Sequence, residues 1–290
     1  MRYNSTIKLM ISMLIWGSLG VFVKNINLPS QEIAFSRAVI GTVFIFFINK
    51  FYFKNSLSEL FDRKNRRTLF ILIILGIFLG LNWILLFQSY KYTTIANGTL
   101  TYYLAPALAI LLAPFVIKER IKLKSIISVV IAIFGLFLIL TSNNTNQTGE
   151  YNHFLGISFA LLAALVYALI ILINKKVQGV SGLNSTFVQM FVSAISLLPI
   201  ILYRGEYTIT STKTVGYLLV VGIIHTGLAY ILYFTSLKSL ATEKIAILSY
   251  IDPVSSVIYG FLLLGEGVSI KTIVGGILIL STGIINMDKE

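Results

Sequence analysis

Ionisable residues lodged inside apolar runs are where this sequence could do chemistry, because a charge in hydrocarbon is costly and needs a use or a partner. Asp252 is the clearest. It lies well inside the apolar run near 244–264 and directly precedes Pro253, which removes a backbone donor and frees a carbonyl one turn back. A carboxylate beside freed backbone oxygen can hold an ammonium group or a proton; the same carboxyl can also be neutral, or hydrogen-bonded between helices. Arg37 sits just inside another run, where it could attract a carboxylate, snorkel to the interface, or pair with Glu32. His225, in a third run, could relay a proton or simply donate a hydrogen bond to a neighbouring helix. Polar-tipped side chains accompany them: Asn82, Trp83, Gln88, Tyr102, Tyr103, Tyr167, Tyr230 and Tyr250. These could wall a cavity and bind an organic solute by stacking and cation–π contact, or pack as core and interfacial aromatics. The candidate binding set is therefore Asp252, Arg37, Asn82, Trp83, Tyr102, Tyr103, Tyr230 and Tyr250, with Asp252 and His225 as candidate coupling groups.

Other chemistries lack their residues. There is no cysteine, and of the two histidines His153 stands at a helix entrance, so no thiolate nucleophile or metal cluster is expected. H-E-x-x-H, G-x-S-x-G and G-x-x-x-x-G-K-[ST] are all missing from the sequence, which argues against an enzyme, a cofactor and direct use of ATP.

The elements that must position these residues follow from composition. The 290-residue chain is 57% hydrophobic and 12% charged, with mean hydropathy +0.88, against about 25% charged in soluble domains. It reads as an all-α integral membrane protein whose first partner is the lipid bilayer. Ten apolar runs of spanning or near-spanning length lie near 7–23, 34–53, 69–88, 95–116, 124–141, 154–173, 184–203, 215–236, 244–264 and 270–287, given that a crossing takes about 20 residues. They lack the period-two pattern of a barrel. The first run is expected to be a retained helix, since no small-x-small cleavage site follows it. Small-residue rows, Gly76 with Gly80 and Ala105 with Ala109 and Ala113, would let the third and fourth helices approach closely. The formal charge of +12 sits in short connections, where it reads as an orientation signal and not as a nucleic-acid surface.

The stretch from Phe87 to Lys124 occurs twice. Shifted by 147 positions, the interval from Pro106 to Pro253, it also aligns Tyr103 with Tyr250, Glu119 with Glu266 and Lys124 with Lys271. Trp83 falls on Tyr230 and Ala105 on Asp252, so the repeat is asymmetric where its acid lies. Pro106 and Pro253, with Glu119 and Glu266 at helix ends where exposure is cheap, are expected to be structural or gating residues. Lys50, Lys54, Arg63, Lys64, Arg66 and Arg67 fill one connection, and Lys118, Arg120, Lys122 and Lys124 another, whereas 142–150 has no Lys or Arg. By the positive-inside rule the first two are cytoplasmic and the third external, with both termini inside. Residues 1–141 and 151–290 then form two five-helix halves of opposite orientation, joined by the polar linker 142–150. Lys175 and Lys176 set against Arg204, Lys213 and Lys271 make the second half less decisive.

Oppositely oriented homologous halves can exchange conformations, which gives inward-open and outward-open states around one midplane site. The chain resembles the drug/metabolite transporter superfamily, and within it the EamA-type exporters. The residues concerned are Trp16-Gly17-Ser18, Pro29 with Arg37, Ala96-Asn97 through Pro106 to Glu119, and Glu243-Lys244 through Pro253 to Glu266. The resemblance implies ten transmembrane helices as two inverted five-helix repeats, export of a small-molecule substrate, and a plasma-membrane location; monomer and homodimer both remain open. A channel or a non-transporting membrane scaffold is the alternative.

Overall fold

The computed structural model describes residues 2–51, 57–118, 123–141, 151–205, 211–237, 240, 245 and 248–285. Among these the regular elements are all helical. They are α1 (Arg2–Lys24), α2 (Ser30–Phe51), the short α3 (Ser58–Phe61), α4 (Arg66–Tyr92), α5 (Ile95–Tyr102), α6 (Ala105–Val116) and α7 (Leu123–Leu140). The second half follows with α8 (His153–Asn174), α9 (Gly182–Arg204), α10 (Thr212–Leu219), a π-helical stretch over Val220–Leu228, α11 (Ala229–Leu237), α12 (Ile251–Leu264) and α13 (Ile270–Ile285). Glu119, the linker 142–150 and Glu243-Lys244 lie outside the described residues.

Among the described residues, seven spans are long and apolar enough to cross a membrane, and three apolar helices are shorter: Ile126–Leu140, Ile251–Leu264 and Ile270–Thr282. The protein is therefore a multi-pass membrane protein. Two of the ten expected runs are not single helices. Proline explains both, because its ring excludes the carbonyl four residues back and it cannot donate to it. Thus α5 stops at Tyr102 and α6 restarts with Pro106 in its first turn; α12 likewise starts at Ile251, with Pro253 in its first turn and Tyr250 in the turn before it. The outer surface is apolar, with Phe115 83%, Phe154 75% and Ile277 61% exposed, as lipid contact requires.

Two pairs of helices that correspond in order, α2 with α9 and α7 with α13, touch and run antiparallel. Between α2 and α9, Asn49 Nδ2 donates to Asn184 Oδ1, Phe46 lies 6.0 Å from Phe187 and Gly41 faces Met190. The numbers rise along one helix as they fall along the other. Between α7 and α13 a Cβ on Gly135 would stand 2.6 Å from the Gly275 carbonyl, Gly275 in turn packs on Ile139, and Lys271 Nζ donates to Thr141 O at 3.1 Å. Only bare glycines allow this approach. Gly76 and Gly80 prove to serve a different contact from the one expected: they pack on Gln189, Val192 and Ser193 of α9, while Ala109 and Ala113 cluster with Ala168 and Leu172 of α8.

At one end of the bundle the residue before α4 and the first turn of α4 are latched to the α8–α9 loop. Asn65 Nδ2 donates to Gly179 O at 3.1 Å and Thr68 Oγ1 to Gln178 O at 3.0 Å. Burial pushes the Glu59 carboxyl up, but the Ser181 N–H and the Asn184 amide it accepts outweigh this and hold it below the usual range.

Candidate functional site

The face of α4 carrying Leu79, Asn82, Trp83, Leu86 and Tyr90 repeats at helical spacing and forms one wall of a cavity of about 340 Å³ between the halves. Trp16 of α1 and Arg37 of α2 extend that wall, and Thr99, Tyr102, Tyr103 and Pro106 come from the broken α5–α6 pair. From the second half Tyr167 of α8, Tyr230 and Tyr233 of α11, and Ser249, Asp252 and Ser256 around the start of α12 complete it. The volume suits a small organic molecule.

The two charged groups are held by different means. Arg37 is 4% exposed. Its Nε donates to Thr226 Oγ1 at 2.9 Å, and its guanidinium lies 4.3 Å from the centre of the Trp83 ring, a cation–π contact strengthened by desolvation. The π-helical stretch supplies that partner: Thr226 is free to face α2 because its own hydroxyl bonds back to Val221 O at 3.0 Å. Half-buried Asp252 lies in the first turn of α12, where the helix dipole favours an anion. Tyr103 hydroxyl donates to Asp252 Oδ2 at 2.7 Å, from one proline-made break to the other. Neither Arg37 nor Asp252 forms an ion pair with a described residue.

Neutral groups fix the rest of the wall. Tyr102 hydroxyl donates to Asn82 Oδ1 at 3.2 Å, and Asn82 Nδ2 donates to Ala163 O at 2.8 Å. Trp16 stands edge-on to Tyr230 with centroids 5.2 Å apart, and its Nε1 donates to the His225 carbonyl at 2.8 Å. Gly17 lets α1 and α12 touch, since its carbonyl accepts from Ser256 Oγ at 2.8 Å and a Cβ on it would fall 2.8 Å from Asp252 O.

Of the binding candidates, Asp252, Arg37, Asn82, Trp83, Tyr102, Tyr103 and Tyr230 line this one cavity, together with Pro106; Tyr250 does not. His225 is buried behind Trp16, its Nε2 3.0 Å from Ser18 Oγ, and is not in the lining. Glu266 departs from the expected exposed helix end: it is 5% exposed and ion-paired to Lys24. Tyr90, Tyr233 and Thr226 were absent from the expected set. Tyr90 and Tyr233 were findable, one turn or two along the same helical faces as Asn82, Trp83 and Tyr230.

Comparison with known proteins places the chain in a family. A model of the EamA-like transporter family matches the chain twice, over residues 5–141 and 154–287. An uncharacterized transporter of Bacillus subtilis, YxxF, is 33% identical over 89% of this chain and 81% of its own length. An uncharacterized transporter of Archaeoglobus fulgidus is 24% identical over 97% of this chain and 95% of its own. A solved crystal structure covering 97% of this chain and 96% of its own superposes with a TM-score of 0.65 at 18% identity, which shows a shared fold. The chain belongs to the EamA-like transporter family.

Proposed function

We propose that this protein is a secondary transporter of small organic metabolites, with amino acids and related zwitterions the first class, exporting them by alternating access between two inverted five-helix repeats. One observation supports the substrate class most: Arg37 and Asp252, opposite in charge and in no ion pair with a described residue, line a single cavity. A zwitterion supplies what both lack, a carboxylate for the guanidinium and an ammonium for the carboxylate. Asn82, Trp83, Tyr102, Tyr103 and Tyr230 orient the body of the solute. Asp252 is also the group placed to carry a driving proton; His225, behind Trp16, takes a supporting role.

The inverted arrangement is supported by two separate family matches and by antiparallel contact of α2 with α9 and α7 with α13. We assign ten transmembrane helices, counting the broken α5–α6 as one, α10 to α11 through the π-helical stretch as one, and leaving out the four-residue α3, in the plasma membrane with both termini cytoplasmic. Purified protein in vesicles should show saturable flux of amino acids. Saturable flux confined to sugars or nucleotides would overturn the substrate class and leave the carrier standing.

A further inference from the structure

A second cavity, of about 380 Å³, lies beside the first and is lined by Val23, Lys24, Asn25, Lys91, Tyr151 and Tyr90 among others. Tyr90 borders both cavities. It is 4% exposed and its hydroxyl shares a 3.1 Å hydrogen bond with Thr99, so α4 and α5 hold the ring as a partition. Beside it Lys24 Nζ meets Glu266 Oε1 at 2.5 Å, and Glu266 Oε2 accepts the Ile95 N–H at 2.8 Å. Lys24 also donates to Thr93 O at 2.9 Å and to the Tyr151 hydroxyl at 3.0 Å. Two of the segments tied here, the end of α1 and the α4–α5 corner, belong to the first half. The other two, the lead into α8 and the α12–α13 turn, belong to the second.

Local sequence builds this knot. Gly265, at φ +65, ends α12, and the Glu266 N–H turns back to Gly260 O at 3.2 Å in the manner of a glycine-terminated helix. Gly260 leaves room for the carboxylate, since a Cβ there would stand 2.9 Å from Glu266 Oε2. A buried pair is weak as a source of stability compared with apolar packing of the same volume, so its place at the second cavity, whose wall includes Lys24 and the shared Tyr90, calls for another explanation. The shared wall of the two cavities is Tyr90, and Lys24, beside it in the second, is tied through Glu266 to the Ile95 N–H at the α4–α5 corner that holds the ring. We propose that the Lys24–Glu266 pair, with Tyr90, is the gate between the central cavity and this vestibule, and that the pair breaks once in each transport cycle. This rests on the carrier reading above.

The chain has no native cysteine, so single thiols report cleanly. Leu86→Cys, in the central-cavity lining one turn from Tyr90, should react slowly with an impermeant maleimide added on the vestibule side. Adding Glu266→Gln should raise that rate about tenfold, as a minor open state of about 1% becomes about 10%. Unchanged labelling in Glu266→Gln would overturn the gate. Should Glu266→Gln fail to fold, Lys24→Cys with Glu266→Cys, joined by a short cleavable bifunctional reagent, decides the matter in vesicles. Flux should stop when the thiols are joined and return on cleavage; flux that continues while they are joined overturns the gate. Labelling requires no solute, so its failure is distinct from failure of the carrier reading, which shows as absence of saturable flux in the unmodified protein.

Discussion

Asp252 and Arg37 were legible because the cost of a charge in an apolar run is local, and the sequence displays it directly. Their surroundings were not. Tyr103 reaches Asp252 from 149 positions away, and nothing in either segment says that Tyr103 faces the cavity while its repeat partner Tyr250 does not. Glu266 misled for a related reason: a helix end reads as exposed, yet Lys24, far away in sequence, covers it. Substitution separates the two roles of Asp252. If the carboxylate carries the driving proton, Asp252→Asn should abolish pH-driven accumulation while exchange persists. If it pairs with a substrate ammonium, exchange should weaken as well, since an unpartnered buried charge costs about 3–5 kcal/mol, more than a hundredfold in affinity. Normal accumulation and normal affinity would leave it a structural residue. Arg37→Gln should weaken amino acids by a similar factor while sparing analogues that lack the carboxylate; competition binding measures both, and equal loss for the two classes would remove Arg37 from substrate recognition.

At the scale of elements, helix positions followed from apolar run length, whereas the breaks beside Tyr103 and Tyr250 did not, because hydropathy runs on across Pro106 and Pro253. The π-helical stretch over Val220–Leu228 had no such signal, because an extra residue in a helical turn leaves the apolar pattern almost unchanged. The partner of Gly76 and Gly80 was equally hidden: small residues state that something comes close, not which helix does. Gly17 shows how strictly such a contact is set. An alanine Cβ would lie 1.9 Å from Ser255 Oγ and 2.8 Å from Asp252 O, and the second of these is backbone that cannot swing aside. Gly17→Ala should therefore destabilise by about 1–3 kcal/mol, visible as a lower Tm in detergent. It should also impair transport by pushing α12 away from α1. A variant with unchanged Tm and flux would mean that α1 and α12 pack less closely than described.

At the scale of the whole molecule the family model matches twice, over 5–141 and 154–287, and helices from both stretches line the central cavity, in keeping with the spacing that sets Tyr103, Pro106 and Glu119 against Tyr250, Pro253 and Glu266. What the repeat could not give was the lining, since residues of α1, α2, α4, α5, α6, α8, α11 and α12 converge only on folding. Orientation has its own test. A single cysteine at Arg66 should be protected from an impermeant reagent in intact cells and one at Thr145 should react; external labelling at Arg66 would break the inverted arrangement. The central claim, a carrier with one alternating site, is tested most directly by counterflow in sealed vesicles containing the purified protein. Vesicles loaded with unlabelled amino acid should take up labelled amino acid transiently above equilibrium, with a rate that saturates in substrate. Flux that rises linearly without overshoot, or none beyond protein-free vesicles, would contradict it.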